Sequence, residues 1–129
     1  MTESDETNSV DRFLLEQIDS VPHLEALLML WNTRPRMWSV KDVAHALFIN
    51  AETAGQILED LTRRGLIVAA PAEPARYSCE PQADRDRLLA SVHAAYRSDL
   101  VRLSSLIHTK PPAAVRDFAR AFRAKETRE

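Results

Sequence analysis

The chain has 129 residues, 45% of them apolar, which is enough for one domain with a real core, or one domain with helical extensions. Its formal net charge of −2 gives no overall basic signature for nucleic acid. The one cysteine, Cys79, excludes an internal disulfide framework and fits a reducing cytosol, and no stretch approaches the ~20 apolar residues of a membrane span.

Charge is laid out unevenly. Residues 1–30 carry seven acids and one base, residues 31–96 eight of each, and residues 97–129 eight bases and four acids. Ends of opposite sign attract, within one chain or between two copies. Only two glycines, with many Ala, Leu and Arg, point to a mainly helical chain.

Residues 1–8 are polar and acidic, and disorder is expected there. They contain no apolar run of signal length, so a cytoplasmic location is expected. Ser9 or Asp11 can cap a first short helix, whose apolar face is Val10, Phe13, Leu14, Gln17 and Ile18. Residues 19–22 form a joint. Ser20 suits an N-cap, and Pro22 is tolerated only in a first helical turn. Leu24, Leu27, Leu28, Leu30 and Trp31 then saturate residues 23–32, the first helix of a three-helix core. Residues 33–36 are a loop with Arg34, Pro35 and Arg36. Met37 and Trp38 are expected to pack back on the core.

Residues 39–77 organise the rest. Ser39 opens a helix, with Asp42 three residues on at a capping-box spacing. Val43, Ala44 and Leu47 form its apolar face. Residues 48–50 break it, and Asn50 caps the next helix, with Glu52 favoured in the first turn. Ala54, Ile57, Leu58 and Leu61 face inward. Gly65 ends that helix as a residue able to turn left-handed. Residues 66–68 read as a strand, 71–74 as a turn and 75–79 as a returning strand.

Ser39, Val43, Ala44, Leu47, Ile49, Ala54, Leu58, Leu61 and the Gly65-Leu66-Ile67 step together resemble a winged helix-turn-helix over residues 22–79. The small Ala44 lets two helices cross closely. The resemblance implies a three-helix core with a two-stranded wing, and a DNA-binding regulator. Winged helices also serve as protein-interaction modules.

After a break at residues 80–82, residues 83–108 read as one helix. Leu89, Val92, Tyr96, Leu100, Leu103 and Ile107 recur at steps of three and four, a seam over nearly three heptads. A helix of this length spans about 38 Å, more than a small core covers. Homodimerisation through the seam is expected, with packing inside the chain as the other reading. Residues 110–112 stop the helix. Residues 113–125 form another, with Val115, Phe118, Ala119 and Phe122 on one face and Arg116, Arg120, Arg123 and Lys125 on the other. The domain reading is therefore a disordered stretch at 1–8, a winged-helix domain with its leading helix at 9–80, and a helical extension for dimerisation or packing at 81–125.

No catalytic constellation emerges. His23, His45, His93 and His108 have no metal-ligand spacing to one another or to Cys79, and there is no HExxH, CxxC, GxSxG or Gly-rich phosphate loop. Asp84 and Asp86 sit at a helix start, where negative charge is stabilising. Cys79 reads as a small apolar filler. No enzyme, metal site or cofactor is expected.

If the second helix of the motif enters a major groove, Glu52, Thr53, Gln56, Glu59, Asp60 and Arg63 face outward. Gln56 suits adenine and Thr53 a phosphate or a thymine methyl. Arg34, Arg36, Lys41, Arg63, Arg64 and Arg76 are candidates for phosphates. Three acids on this face oppose the duplex charge, and the expected wing tip at 71–74 carries one acid and no base. The leading expectation is a dimeric DNA-binding transcriptional regulator on double-stranded DNA. The alternative is a winged-helix adaptor binding a regulatory protein partner.

Overall fold

A computed structural model describes residues 3–109. The elements run α1 (Glu3–Gln17), α2 (Val21–Asn32), β1 (Trp38–Ser39), α3 (Val40–Leu47), α4 (Ala51–Arg63), β2 (Val68–Ala70), β3 (Arg76–Ser78), α5 (Ala83–Ser98) and α6 (Leu100–Thr109). The basic helix expected at 113–125 lies outside the described residues. Among the described residues, no helix is long and apolar enough to cross a membrane.

Local chemistry sets the helix starts. Ser20 Oγ accepts from the His23 N–H at 3.3 Å, Ser39 Oγ from the Asp42 N–H at 3.1 Å, and Asn50 Oδ1 from the Thr53 N–H at 2.7 Å. Each cap satisfies an N–H that the helix itself leaves orphaned. Gly65 ends α4 at φ +76°, donating its N–H to Thr62 O, while the Leu66 N–H reaches Leu61 O. That turn drops Leu66 and Ile67 into the core, so the strand begins at Val68 rather than Leu66.

The helices α2, α3 and α4 form the three-helix core. Its apolar contents join those of α1, α5 and α6 in one cluster, including Leu14, Ile18, Leu24, Leu27, Leu58, Leu61, Leu89 and Leu103. The wing has a third strand that the sequence reading did not anticipate. The sheet order is β1-β3-β2, with Trp38 opposite Tyr77 and Ser39 opposite Arg76. Trp38 is buried, so a two-residue strand also anchors an indole.

Two expectations fail here. Residues 3–8 are helical, because α1 runs unbroken from Glu3 into the turns that bury Val10, Phe13 and Leu14, and Asp5 and Glu6 lie near its positive end. Residues 83–108 are two helices. The Asp99 N–H donates to Ala95 O, its carbonyl accepts from the Leu103 N–H, and its Oδ2 accepts from Arg102 Nε at 2.7 Å. A short acid that bonds locally closes one helix and opens the next. Both halves then lie against α1.

The dimerisation seam is corrected as a consequence. Leu89, Val92 and Leu103 are 0% exposed and Ile107 is 3% exposed within the single chain. Tyr96 is half-buried and donates its hydroxyl to Glu25 Oε2 at 3.2 Å. Of the six residues only Leu100 keeps substantial exposure, at 45%. The break at Asp99 lets the stripe follow α1, which removes the need for an outside partner along it.

Candidate nucleic-acid interface

The inner face of α4 is closed by Ala54, Ile57, Leu58 and Leu61. Its outer face leaves Glu52, Thr53, Gln56, Glu59 and Arg63 exposed. Asp60 departs from the expected outward set, being 8% exposed. Its Oδ1 accepts from Gln56 Nε2 at 3.0 Å and from Arg63 Nη2 at 2.7 Å. Its Oδ2 lies 2.9 Å from His23 Nε2 on α2, and His23 Nδ1 lies 2.6 Å from the capping Ser20 Oγ. Burial alone raises the Asp60 carboxyl pKa, but the hydrogen bonds from His23, Gln56 and Arg63 outweigh it and hold the pKa below its ordinary value. The reading face is therefore less acidic than its sequence: Glu52 and Glu59 remain on it, and Asp60 lies beneath.

The arginines divide. Arg64 is fastened inside, with Nη2 at 3.0 and 3.2 Å from the two Asp19 carboxylate oxygens and Nη1 donating to Glu16 O. Arg34 donates to Trp31 O at 2.7 Å and to Asp86 Oδ1 at 2.8 Å, with its guanidinium 5.0 Å from the Trp31 ring centre. These two candidates hold helices together and are withdrawn from the phosphate set. A half-buried guanidinium needs these acceptors, which explains their capture. Arg63 stays 67% exposed despite its bond to Asp60. Arg36 is exposed and stacked 3.7 Å from the Trp38 ring centre. Lys41 is exposed in the first turn of α3. Arg76, opposite Ser39 on the sheet, is half-exposed and 3.9 Å from Asp42.

The structure thus brings Gln56 and Arg63 together through Asp60, and sets Arg76 beside Asp42 in the first turn of α3, the helix that carries Lys41. Thr53 is exposed beside the Asn50 cap. The wing tip, with Glu73 exposed, adds no cation.

Three features were missed in the sequence. Phe48 is 93% exposed and left-handed at φ 57°, with its N–H on His45 O. Arg85 Nη1 donates to Gly65 O at 2.6 Å and braces the exit of α4. Asp19, His23 and Asp60 gather with one ligand atom each within 4.8 Å of one another. Each of these two carboxylates already carries a guanidinium, Arg64 on Asp19 and Arg63 on Asp60. That donor set is charge-balanced and fits an ion-pair network better than a dication. Cys79 is buried, which raises its thiol pKa, and its Sγ faces Leu66 O.

The sequence matches no family model and no curated protein. Solved structures match it in fold. One is MepR of Staphylococcus aureus, a transcription regulator of the multidrug efflux pump MepA, at 17% identity and TM-score 0.52 over 98% of this chain and 97% of that one. A mutant MepR bound to an oligodeoxyribonucleotide matches at 17% identity and TM-score 0.53, over 96% and 88%. A MarR family protein from Bacillus stearothermophilus matches at 14% identity and TM-score 0.50, over 97% and 85%. The agreement takes in the flanking helices as well as the motif: this chain has the winged-helix fold of the MarR-type transcription regulators.

Proposed function

We propose that the chain is a DNA-binding transcription regulator of the winged helix-turn-helix type, acting in the cytoplasm as a dimer. The observation that carries this reading is the near end-to-end fold match to a transcription regulator, one form of which was solved on an oligodeoxyribonucleotide. The open outer face of α4 agrees with it. In this reading α4 enters the major groove, with Thr53 and Gln56 meeting base edges. Arg36, Lys41, Arg63 and Arg76 meet phosphates and fix the register. A second copy meets the exposed end of α6, where Val101 is 81% and Leu100 45% exposed, and places a second α4 in another groove.

The cations are few, and the reading therefore carries a quantitative expectation. About four phosphate contacts per copy give a log–log salt slope of roughly −3 to −4 per copy, or about −7 for the dimer. Fluorescence anisotropy with duplexes from the gene's own upstream region tests it. Binding that weakens with salt at this slope supports the reading. No shift at low salt, with specific or random duplex, overturns it. The dimer is tested separately by light scattering: twice the chain mass is expected, reduced to one by Val101→Glu.

A further inference from the structure

Beneath the open face of α4 lies one carboxylate with three hydrogen-bond partners. Asp60 accepts from Gln56 and Arg63 on its own helix and meets His23 across the core, and His23 is tied to the Ser20 cap. An ionised carboxylate only accepts hydrogen bonds. The Gln56 amide must therefore turn Nε2, its donor end, toward Asp60 and Oε1 away from it. The His23 ring obeys the same rule, with Nε2–H donating to Asp60 and Nδ1 facing the Ser20 hydroxyl.

A glutamine amide otherwise has two flip states of nearly the same shape. Which one faces the solvent decides what it can read. With one Nε2–H held by Asp60, Gln56 keeps Oε1 and the second Nε2–H for a ligand. That is an acceptor beside a donor in fixed order, the pair that meets the N6–H and N7 of adenine. Fixing the amide in advance also removes a rotor whose freedom binding would otherwise have to suppress.

We propose that Asp60 is a positioning residue that fixes the flip state of the Gln56 amide and so sets the base preference of α4. The proposal rests on the DNA-reading role of α4. Leucine at position 60 keeps the bulk but offers no acceptor, so neither flip state of Gln56 is held, whereas an asparagine would turn its Oδ1 to Arg63 and keep the amide as it is.

The test is selection from a randomised duplex library, with thermal melting of each variant as a control for folding. Wild type is expected to enrich a motif containing an adenine whose preference Gln56→Ala removes. Asp60→Leu is expected to relax the same position by about fivefold or more. The double variant should show no further loss there, because Asp60 acts through Gln56. An Asp60→Leu protein that keeps the full wild-type motif overturns the proposal and leaves the DNA reading standing. So does one that weakens every position alike, the mark of a merely structural role. If wild type enriches no sequence, the DNA reading fails as well. If Asp60→Leu does not fold, side-chain ¹⁵N relaxation of wild-type Gln56 decides. An amide as rigid as the backbone supports the proposal, and a freely moving one overturns it.

Discussion

The outer stripe of α4 and the inner stripe of α5 and α6 are both helical patterns, yet one is open and the other closed. Along α5–α6 the buried residues are Leu89, Val92, Leu103 and Ile107, and their partner is α1 of the same chain. Along α4 the outward residues reach solvent, and two of them, Gln56 and Arg63, rest on the buried carboxylate of Asp60. The same contrast recurs between two adjacent side chains. Arg63 is 67% exposed and Arg64 17% exposed, though each holds an aspartate. A surface that must meet a partner is kept open and held from below, whereas a surface that holds the fold is closed on all sides.

The closed stripe breaks most heavily. Leu103→Glu puts an unpartnered carboxylate where no part of the side chain reaches water, at a cost beyond the ~2–5 kcal/mol of a core Leu→Ala change. Circular dichroism should show loss of the folded state. A folded protein melting like wild type would mean that the stripe faces outward after all. The two arginines sharpen the contrast. Arg64→Ala should cost about 1–3 kcal/mol in urea unfolding, because Asp19 loses its guanidinium in a half-buried site. Arg63→Ala should stay within about 1 kcal/mol of wild type. It should instead weaken all duplexes alike and reduce the salt slope by about one per copy.

Acid should probe the support beneath the open stripe. The Asp60 carboxyl has a lower pKa folded than unfolded, so it stabilises the fold above the unfolded value of about 3.9. That contribution is lost as pH falls through the folded pKa. The melting temperature of wild type should therefore exceed that of Asp60→Asn at neutral pH, with the gap narrowing below about pH 4. A gap that stays constant down to pH 2 would show that the carboxylate does not stabilise the fold through its charge. The smallest effect belongs to the turn before α4. Phe48→Gly removes a left-handed phenylalanine that packs on almost nothing, and should stabilise by about 1 kcal/mol, read as a melting temperature a few degrees higher.

Much of the fold was legible because local rules govern it. The caps at Ser20, Ser39 and Asn50, the exit at Gly65 and the inward set on α4 follow from residue type and spacing within a few positions. The α5–α6 stripe was legible as a buried face, but periodicity names no partner, and Asp99 gave the break only once its bonds to Ala95 and Arg102 were seen. At the candidate site, Gln56, Asp60 and Arg63 had visible helical spacing. His23, 37 residues before Asp60, did not, and it is His23 that draws the carboxylate inward. Arg34 and Arg64 were misplaced for the same reason, since Asp86 and Asp19 lie 52 and 45 residues away in sequence. Long-range charge pairing decides which cations remain for a ligand, and no short window contains it.

The central claim is that α4, and not the α5–α6 stripe, is the surface that meets DNA. Backbone amide shifts of the ¹⁵N-labelled chain, followed while a duplex bearing its binding site is added, test this most directly. Perturbations should concentrate in Ala51–Arg63, around Lys41 and at Arg76, with α5 and the buried part of α6 little changed. Shifts confined to α5 and α6, with α4 silent, would contradict it.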